Sequence, residues 1–290
     1  MSNTQPNSPS SGGFQFVKTL AAELSRGKID LPSFPEVAIR VSQLLNDPNA
    51  AVDQIVRVVG SDPALAARLL LVSNSSAFNR GGKHISDLRT AINRIGHTMV
   101  RTASMAFAMS QLRRAAKLEQ LRSRLAALWK QSTEVAALSY VLAKMRSKVN
   151  PDEAMLTGMM HGIGKLYILA RAAQHPDLFT DNVTLEEILG KWHASIGKAI
   201  LENWEFAESM SSAVGDQDYL GSVDEDEPTL HDIIAVAIVM ASYPSDIPGL
   251  ELALSGAPAA IRLGLDQKRI QSVMQDCASE VAALSEALGS

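Results

Sequence analysis

From Phe14 to the C-terminus, apolar residues recur at i, i+3 and i+4 spacing almost without interruption, and strand-like alternation with β-branched residues is scarce. That periodicity excludes sandwiches, barrels and α/β sheets and leaves an all-α chain. SDPALAARLLLVSN shows how its helices start. Asp62 or Ser61 can accept from free first-turn N–H groups, Pro63 is preset for the first turn, and an apolar run follows. Ser33 with Glu36, Asn150 with Glu153 and Thr184 with Glu187 stand at capping-box spacing, and Asn150 also precedes Pro151. These signals predict helices near 14–26, 35–46, 52–59, 63–73, 86–112, 120–147, 152–171, 185–203, 206–213, 229–242 and 266–287, with breaks inside the longer ones.

A chain of 290 residues can bury a large core, and at about 100–200 residues per domain two packed helical subdomains are expected. Although 46% of the residues are apolar, no run approaches the ~18 that a membrane span needs. Cys277 alone cannot form an internal disulfide, and MSNTQPNSPSSGG lacks the basic and apolar regions of a secretory signal, so a cytoplasmic location is expected. That same segment has almost nothing to bury, which predicts a disordered tail over 1–13.

Five segments then occur in a telling order: LPSFPEVAIRVSQLLNDPNA, SDPALAARLLLVSNSSAFN, ISDLRTAINRIG, LWKQSTEVAALSYVLA and MLTGMMHGIGKLYILA. Together, over Leu31 to Asp218, they resemble the HD-related output domain family of bacterial signalling proteins. The resemblance implies a helical N-terminal subdomain, 14–118, packed on a second helical bundle, 119–290, similar to the metal-dependent HD phosphohydrolases.

In active HD enzymes, two histidines, one of them paired with an aspartate, and a late aspartate hold a divalent cation that acidifies water. Aligned with that pattern, the first histidine falls on Gln131 and the His-Asp pair on His161 and Gly162. A further histidine is present as His193, two adjacent ones fall on Gln217 and Asp218, and the late aspartate falls on Ile238. Lys165 lies one turn after His161 on the same helix face. The resemblance therefore implies a vestigial pocket with no metal, no cofactor and no catalytic residue, in which Gly162 gives packing space. His161 and His193 are expected to face each other in the interior, bridged by water or hydrogen-bonded to Gln131.

Other candidates read more simply. Ser73, Ser75 and Ser76 have no nucleophile motif around them, and Gly81, Gly82 and Lys83 lack the phosphate-loop spacing. Trp129, Trp192 and Trp204, most of the methionines, and Cys277 read as packing residues. Charge is unevenly distributed. From Arg89 to Lys130 there are nine basic residues against Glu119 alone, and from Glu202 to Asp232 ten acidic residues and no basic one. Arg94, Arg101, Arg113, Arg114, Arg122 and Arg124 form a candidate docking face for an acidic protein surface, with which the acidic run Asp224 to Glu227 could compete; the alternative is two solvated faces.

The expected function is non-catalytic signal transduction by contact with a protein partner, with no membrane and no nucleic acid involved. One alternative is a metal-dependent phosphohydrolase or cyclic-dinucleotide phosphodiesterase with atypical ligands. The other is a nucleotide- or nucleic-acid-binding module using the basic 89–130 segment, whose binding would fall steeply with salt. Neither the partner's identity nor the oligomeric state follows from the sequence.

Overall fold

The computed structural model describes residues 11–25, 35–47, 49–80, 82–115, 119–173, 175, 182–221, 227–276 and 278–288. Among them there is no strand. The helices are α1 (Ser11–Ser25), α2 (Glu36–Leu44), α3 (Val52–Gly60), α4 (Pro63–Asn74), α5 (Leu88–Ala115), α6 (Glu119–Arg146), α7 (Pro151–Met160), α8 (Ile163–Ala172), α9 (Asn182–Asn203), α10 (Glu208–Gly215), α11 (Leu230–Ser242), α12 (Ile247–Leu254), α13 (Pro258–Arg262), α14 (Gln267–Asp276) and α15 (Ala278–Leu288). No helix is long and apolar enough to cross a membrane among the described residues.

Local chemistry explains several boundaries. Asp62 accepts from the backbone N–H groups of Ala64 at 2.9 Å and Leu65 at 3.0 Å, which opens α4 as expected. Asn150 caps α7 by accepting from Asp152 at 2.9 Å. Its expected reciprocal partner Glu153 instead accepts a hydrogen bond from Ser209 at 2.8 Å, so the box does not close. The expected box at Thr184 does not form, and that at Ser33 lies partly outside the described residues. Thr184 lies inside α9, which starts at Asn182, and Glu36 is the first residue of α2 after Pro35; Ser33 lies outside the described residues. Helix α1 begins at Ser11, so the expected tail over 1–13 loses its last three residues to a helix, and residues 1–10 lie outside the described ones. Inside α5, Gly96 has φ +78°, a left-handed conformation that favours glycine and bends the helix. Two short helices were not anticipated. Asp246 accepts from Gly249 at 3.0 Å to open α12, and Pro258 begins α13.

Helix α6 is the centre of the molecule, with α7, α11 and α15 packed along it and α5 beside it. Helices α2, α3 and α4 pack on α5, while α8 and α10 pack on α9. One continuous hydrophobic cluster crosses the expected 118/119 boundary, running from Met99 and Met109 of α5 to Leu121, Leu125 and Trp129 of α6 and on to Leu288. Trp129 and Trp204 are buried, Trp192 is partly so, and Met105, Met155, Met159, Met160 and Met240 fill the interior. Cys277 lies outside the described residues. Helix α1 follows a different plan from its place in the sequence: grouped there with the first subdomain, it packs against α9 of the second.

Candidate functional site

The helix expected over 152–171 is broken at His161 and Gly162. Helix α7 stops at Met160, Gly162 caps α8, and Leu166 donates to the Gly162 carbonyl at 3.0 Å. His161 is fully enclosed at this break. Its Nδ1 donates to the Gly158 carbonyl at 2.7 Å, so in the neutral ring Nε2 carries a bare lone pair, and that atom has no hydrogen-bond partner. Burial first of all, then the Lys165 and His193 charges, depress the His161 pKa to about 4, against the opposing pull of the Gly158 carbonyl and Asp218.

His193, on α9, is buried and donates from Nδ1 to the Leu189 carbonyl at 2.8 Å. Its Nε2 lies 3.3 Å from an Asp218 carboxylate oxygen. The His193 hydrogen bond holds the Asp218 carboxyl below its ordinary pKa, helped by Lys165 and His161 and opposed by burial. The structure thus brings His161, His193, Asp218 and Lys165 into one electrostatic neighbourhood. Gln217 is buried with both amide atoms unpartnered, and so is the hydroxyl of Ser132.

Gln131 does not make the expected bond to either histidine. His161 Nε2 is unpartnered, and both His193 nitrogens are taken by Leu189 and Asp218. The α6 residues that lie over the break are Leu128 and Ser132. A Cβ on Gly162 would come 2.7 Å from Leu128 Cδ1 and 3.0 Å from Ser132 Oγ, so α6 fills the space beside Gly162. Ile238 of α11 is partly buried against the common core and offers no ligand atom. Among the described residues no three His, Cys, Asp or Glu side chains converge on a point. With one free imidazole lone pair and the second imidazole committed to a carboxylate, these residues do not fit the ligand set of a divalent cation.

Sequence reasoning missed a second buried cluster nearby. Asp232, fully buried at the start of α11, accepts from Arg262 Nε at 2.9 Å and Nη2 at 2.5 Å and from the Thr229 backbone at 2.9 Å. The signal was available in TLHD, where Thr229 and Asp232 form the capping box. His231 bonds the Asp216 carbonyl at 2.9 Å and Arg262 reaches the Gly221 carbonyl at 3.4 Å, so this cluster holds the segment that carries Gln217 and Asp218.

Two residues of the candidate docking face are engaged within the protein. Arg101 bonds the Asn46 side chain at 2.9 Å and lies 5.7 Å over the Phe206 ring, and Arg124 pairs with Glu186. Arg94 and Arg122 are exposed, while the side chains of Arg113 and Arg114 lie outside the described ones. Of the acidic run, Asp224 to Asp226 lie outside the described residues and Glu227 pairs with Lys148 at 2.6 Å.

A pH test follows from His161. The group is favoured neutral in the folded protein, so folded stability is full above the unfolded value near 6.5. It is expected to decline as pH falls toward about 4. Urea melts across this range should show the decline in the parent and a shallower one in His161→Gln; identical slopes would place the ring in contact with solvent.

Comparison with known proteins agrees with this architecture. The HDOD domain family matches residues 31–219. A crystal structure from Shewanella amazonensis SB2B, named as a candidate metal-dependent phosphohydrolase, is 26% identical with a TM-score of 0.71 over 96% of this chain and 100% of that one. An HDOD domain protein of unknown function from Geobacter sulfurreducens superposes with a TM-score of 0.65 at 23% identity, covering 93% of this chain and 97% of that one. A candidate signal transduction protein from Marinobacter aquaeolei VT8 gives 0.64 at 21% identity, over 97% of this chain and 67% of that one. An uncharacterized protein of Treponema pallidum (strain Nichols) is 22% identical over 232 residues, 75% of this chain, which spans 43% of that protein's length.

Proposed function

Because the chain belongs to the HDOD domain family, we propose that it is a non-catalytic regulatory module of a bacterial signalling pathway, acting by contact with another protein. The observation that carries this reading is the packing at Gly162. Where an HD enzyme of the kind this chain resembles places a metal-binding carboxylate, Leu128 and Ser132 occupy the space a side chain would need. The pocket keeps two imidazoles, each donating from Nδ1 to a backbone carbonyl, and the second is also committed to Asp218 through Nε2. Such a site holds two helices and a loop in fixed register without presenting an ion.

The name of the Shewanella structure favours a second reading, a metal-dependent phosphohydrolase. That activity would need ligands which this pocket's donor set does not supply.

One experiment separates the two. After purification without chelators, elemental analysis for Mn, Fe, Ni and Zn is expected to find far less than one metal per chain. With added Mn²⁺ the protein should hydrolyse neither bis(p-nitrophenyl) phosphate nor a cyclic dinucleotide above the rate without protein. Gly162→Asp should gain no turnover and should lose about 1–3 kcal/mol of stability by overpacking against Leu128. One metal per chain together with turnover would overturn the proposal.

A further inference from the structure

Among the described side chains of α1, Phe16, Leu20 and Glu23 make the close contacts on one face, with Val17 partly buried beside them. Phe16 and Leu20 are each only 2% exposed. Glu23 accepts from the Tyr167 hydroxyl at 2.6 Å and pairs with Arg171. The Phe16 ring meets His175 edge-on, at 5.3 Å between centroids. Positions 16, 20 and 23 lie at i, i+4 and i+7, the anchor spacing of a helix laid into a groove, while Lys18, Thr19, Ala21, Ala22 and Ser25 face solvent.

We propose that the face of α8 and α9 beneath α1 is a docking groove for an amphipathic helix of a partner protein. That helix would carry an aromatic, an aliphatic and an acidic residue at i, i+4 and i+7, and α1 is the groove's intramolecular occupant. The inference rests on the contact reading above and names the contact. The resident helix defines what the groove recognises. Tyr167 and Arg171 form a shielded clamp for a carboxylate, in which the Arg171 and Glu23 side chains are only 21% and 23% exposed, so a basic residue at that position is rejected by charge.

The position of α1 in the chain makes it replaceable. Residues 26–34 separate it from α2, and α2 packs on α5 in the other half of the molecule, so α1 is seated away from its nearest neighbour in sequence. These contacts must offset the backbone entropy of ordering 15 residues. A partner helix with the same three anchors competes for the same contacts and shifts the population toward the open form.

The test uses a fluorescein-labelled peptide of residues 11–25 and the full chain. Against the parent protein, whose groove is filled, the peptide should bind weakly. Phe16→Asp with Leu20→Asp should release α1 and tighten peptide binding at least tenfold, and the milder Glu23→Lys should tighten it at least threefold with the apolar anchors in place. Adding Arg171→Glu to the Phe16→Asp, Leu20→Asp chain should lose at least tenfold, and a peptide carrying Glu23→Lys should recover that loss. If opening the chain brings no gain, or if the gain is indifferent to Arg171→Glu, α1 is an ordinary core helix and the proposal fails. A doubling of mass by light scattering, reversed by the free peptide, would assign the groove to α1 of a second copy and overturn the partner-protein occupant. Phosphoester turnover would remove the contact reading whatever the peptide does, whereas a groove that ignores the peptide removes only this inference.

Discussion

Gly164→Ala is expected to destabilise the protein by about 3 kcal/mol or more, at the upper end of what overpacking costs. A Cβ at this position would lie 1.9 Å from the His193 carbonyl oxygen and 2.8 Å from the Gly197 amide nitrogen. Both are backbone atoms of α9, so no rotamer change relieves the overlap and the two helices must separate. Gly197 faces the same crossing, its own Cβ coming 3.6 Å from the Gly164 nitrogen, and is closed on another side by Val214 of α10 at 2.9 Å. The crossing also sets the site: it fixes the backbone of His193 against α8, one turn from His161. Separation should therefore break the His193–Asp218 contact as well as lower the melting temperature. Gly190 is the internal control. It lies on the same helix, is exposed, and a methyl group added there would have nothing within 4 Å. Gly190→Ala should gain up to about 1 kcal/mol through helix propensity. Urea melts in which both substitutions have the same sign would refute the close crossing.

Asp232→Ala should cost about 3–5 kcal/mol, because it leaves the Arg262 guanidinium enclosed without its carboxylate. The replacement of both partners, Asp232→Leu with Arg262→Met, should recover most of that loss, since an apolar pair of similar volume needs no compensation for desolvation. The pair also has a pH signature. Burial pushes the Asp232 carboxyl up, but the His231 ring 3.8 Å away and the hydrogen bonds from Arg262 and the Thr229 backbone together outweigh it and hold the group well below the usual carboxylate range. Its contribution is complete above the unfolded value near 4 and is lost as pH falls through the lower folded value. The parent should therefore lose stability more steeply than the double variant below about pH 4. Because Arg262 also reaches the Gly221 carbonyl, the single substitution should loosen the segment that carries Gln217 and Asp218. Faster amide exchange there than elsewhere is the expected readout, and a uniform change would argue for a purely global effect.

Much of this fold was legible in the chain because helix formation is local. Apolar spacing and the caps at Asp62 and Asn150 depend on residues within one turn of each other, and the structure keeps them. Family membership was legible for a related reason: five helical segments in a fixed order are a property of the sequence itself. The expected boxes at Asn150–Glu153 and Thr184–Glu187 did not form. Glu153 gave its carboxylate to Ser209, 56 positions away, and α9 started two residues ahead of Thr184. The basic stretch shows the same limit of a local reading. A count of charges cannot show that Arg101 lies over Phe206 or that Arg124 pairs with Glu186.

Residue identity and short-range periodicity were enough to establish that the chain is all-α, that a glycine follows His161 where the resemblance places a carboxylate, and that histidines stand at 161 and 193, where the resemblance places ligands. Three-dimensional packing was needed to show that Ser132 rather than Gln131 lies over the break, that α1 seats on the far half of the molecule, and that Asp232 and Arg262 neutralise each other 30 positions apart. The physical reason is that burial and pairing depend on the rotation and spacing of helices about one another. Those are set by close approaches such as Gly164 on His193, which no local pattern encodes.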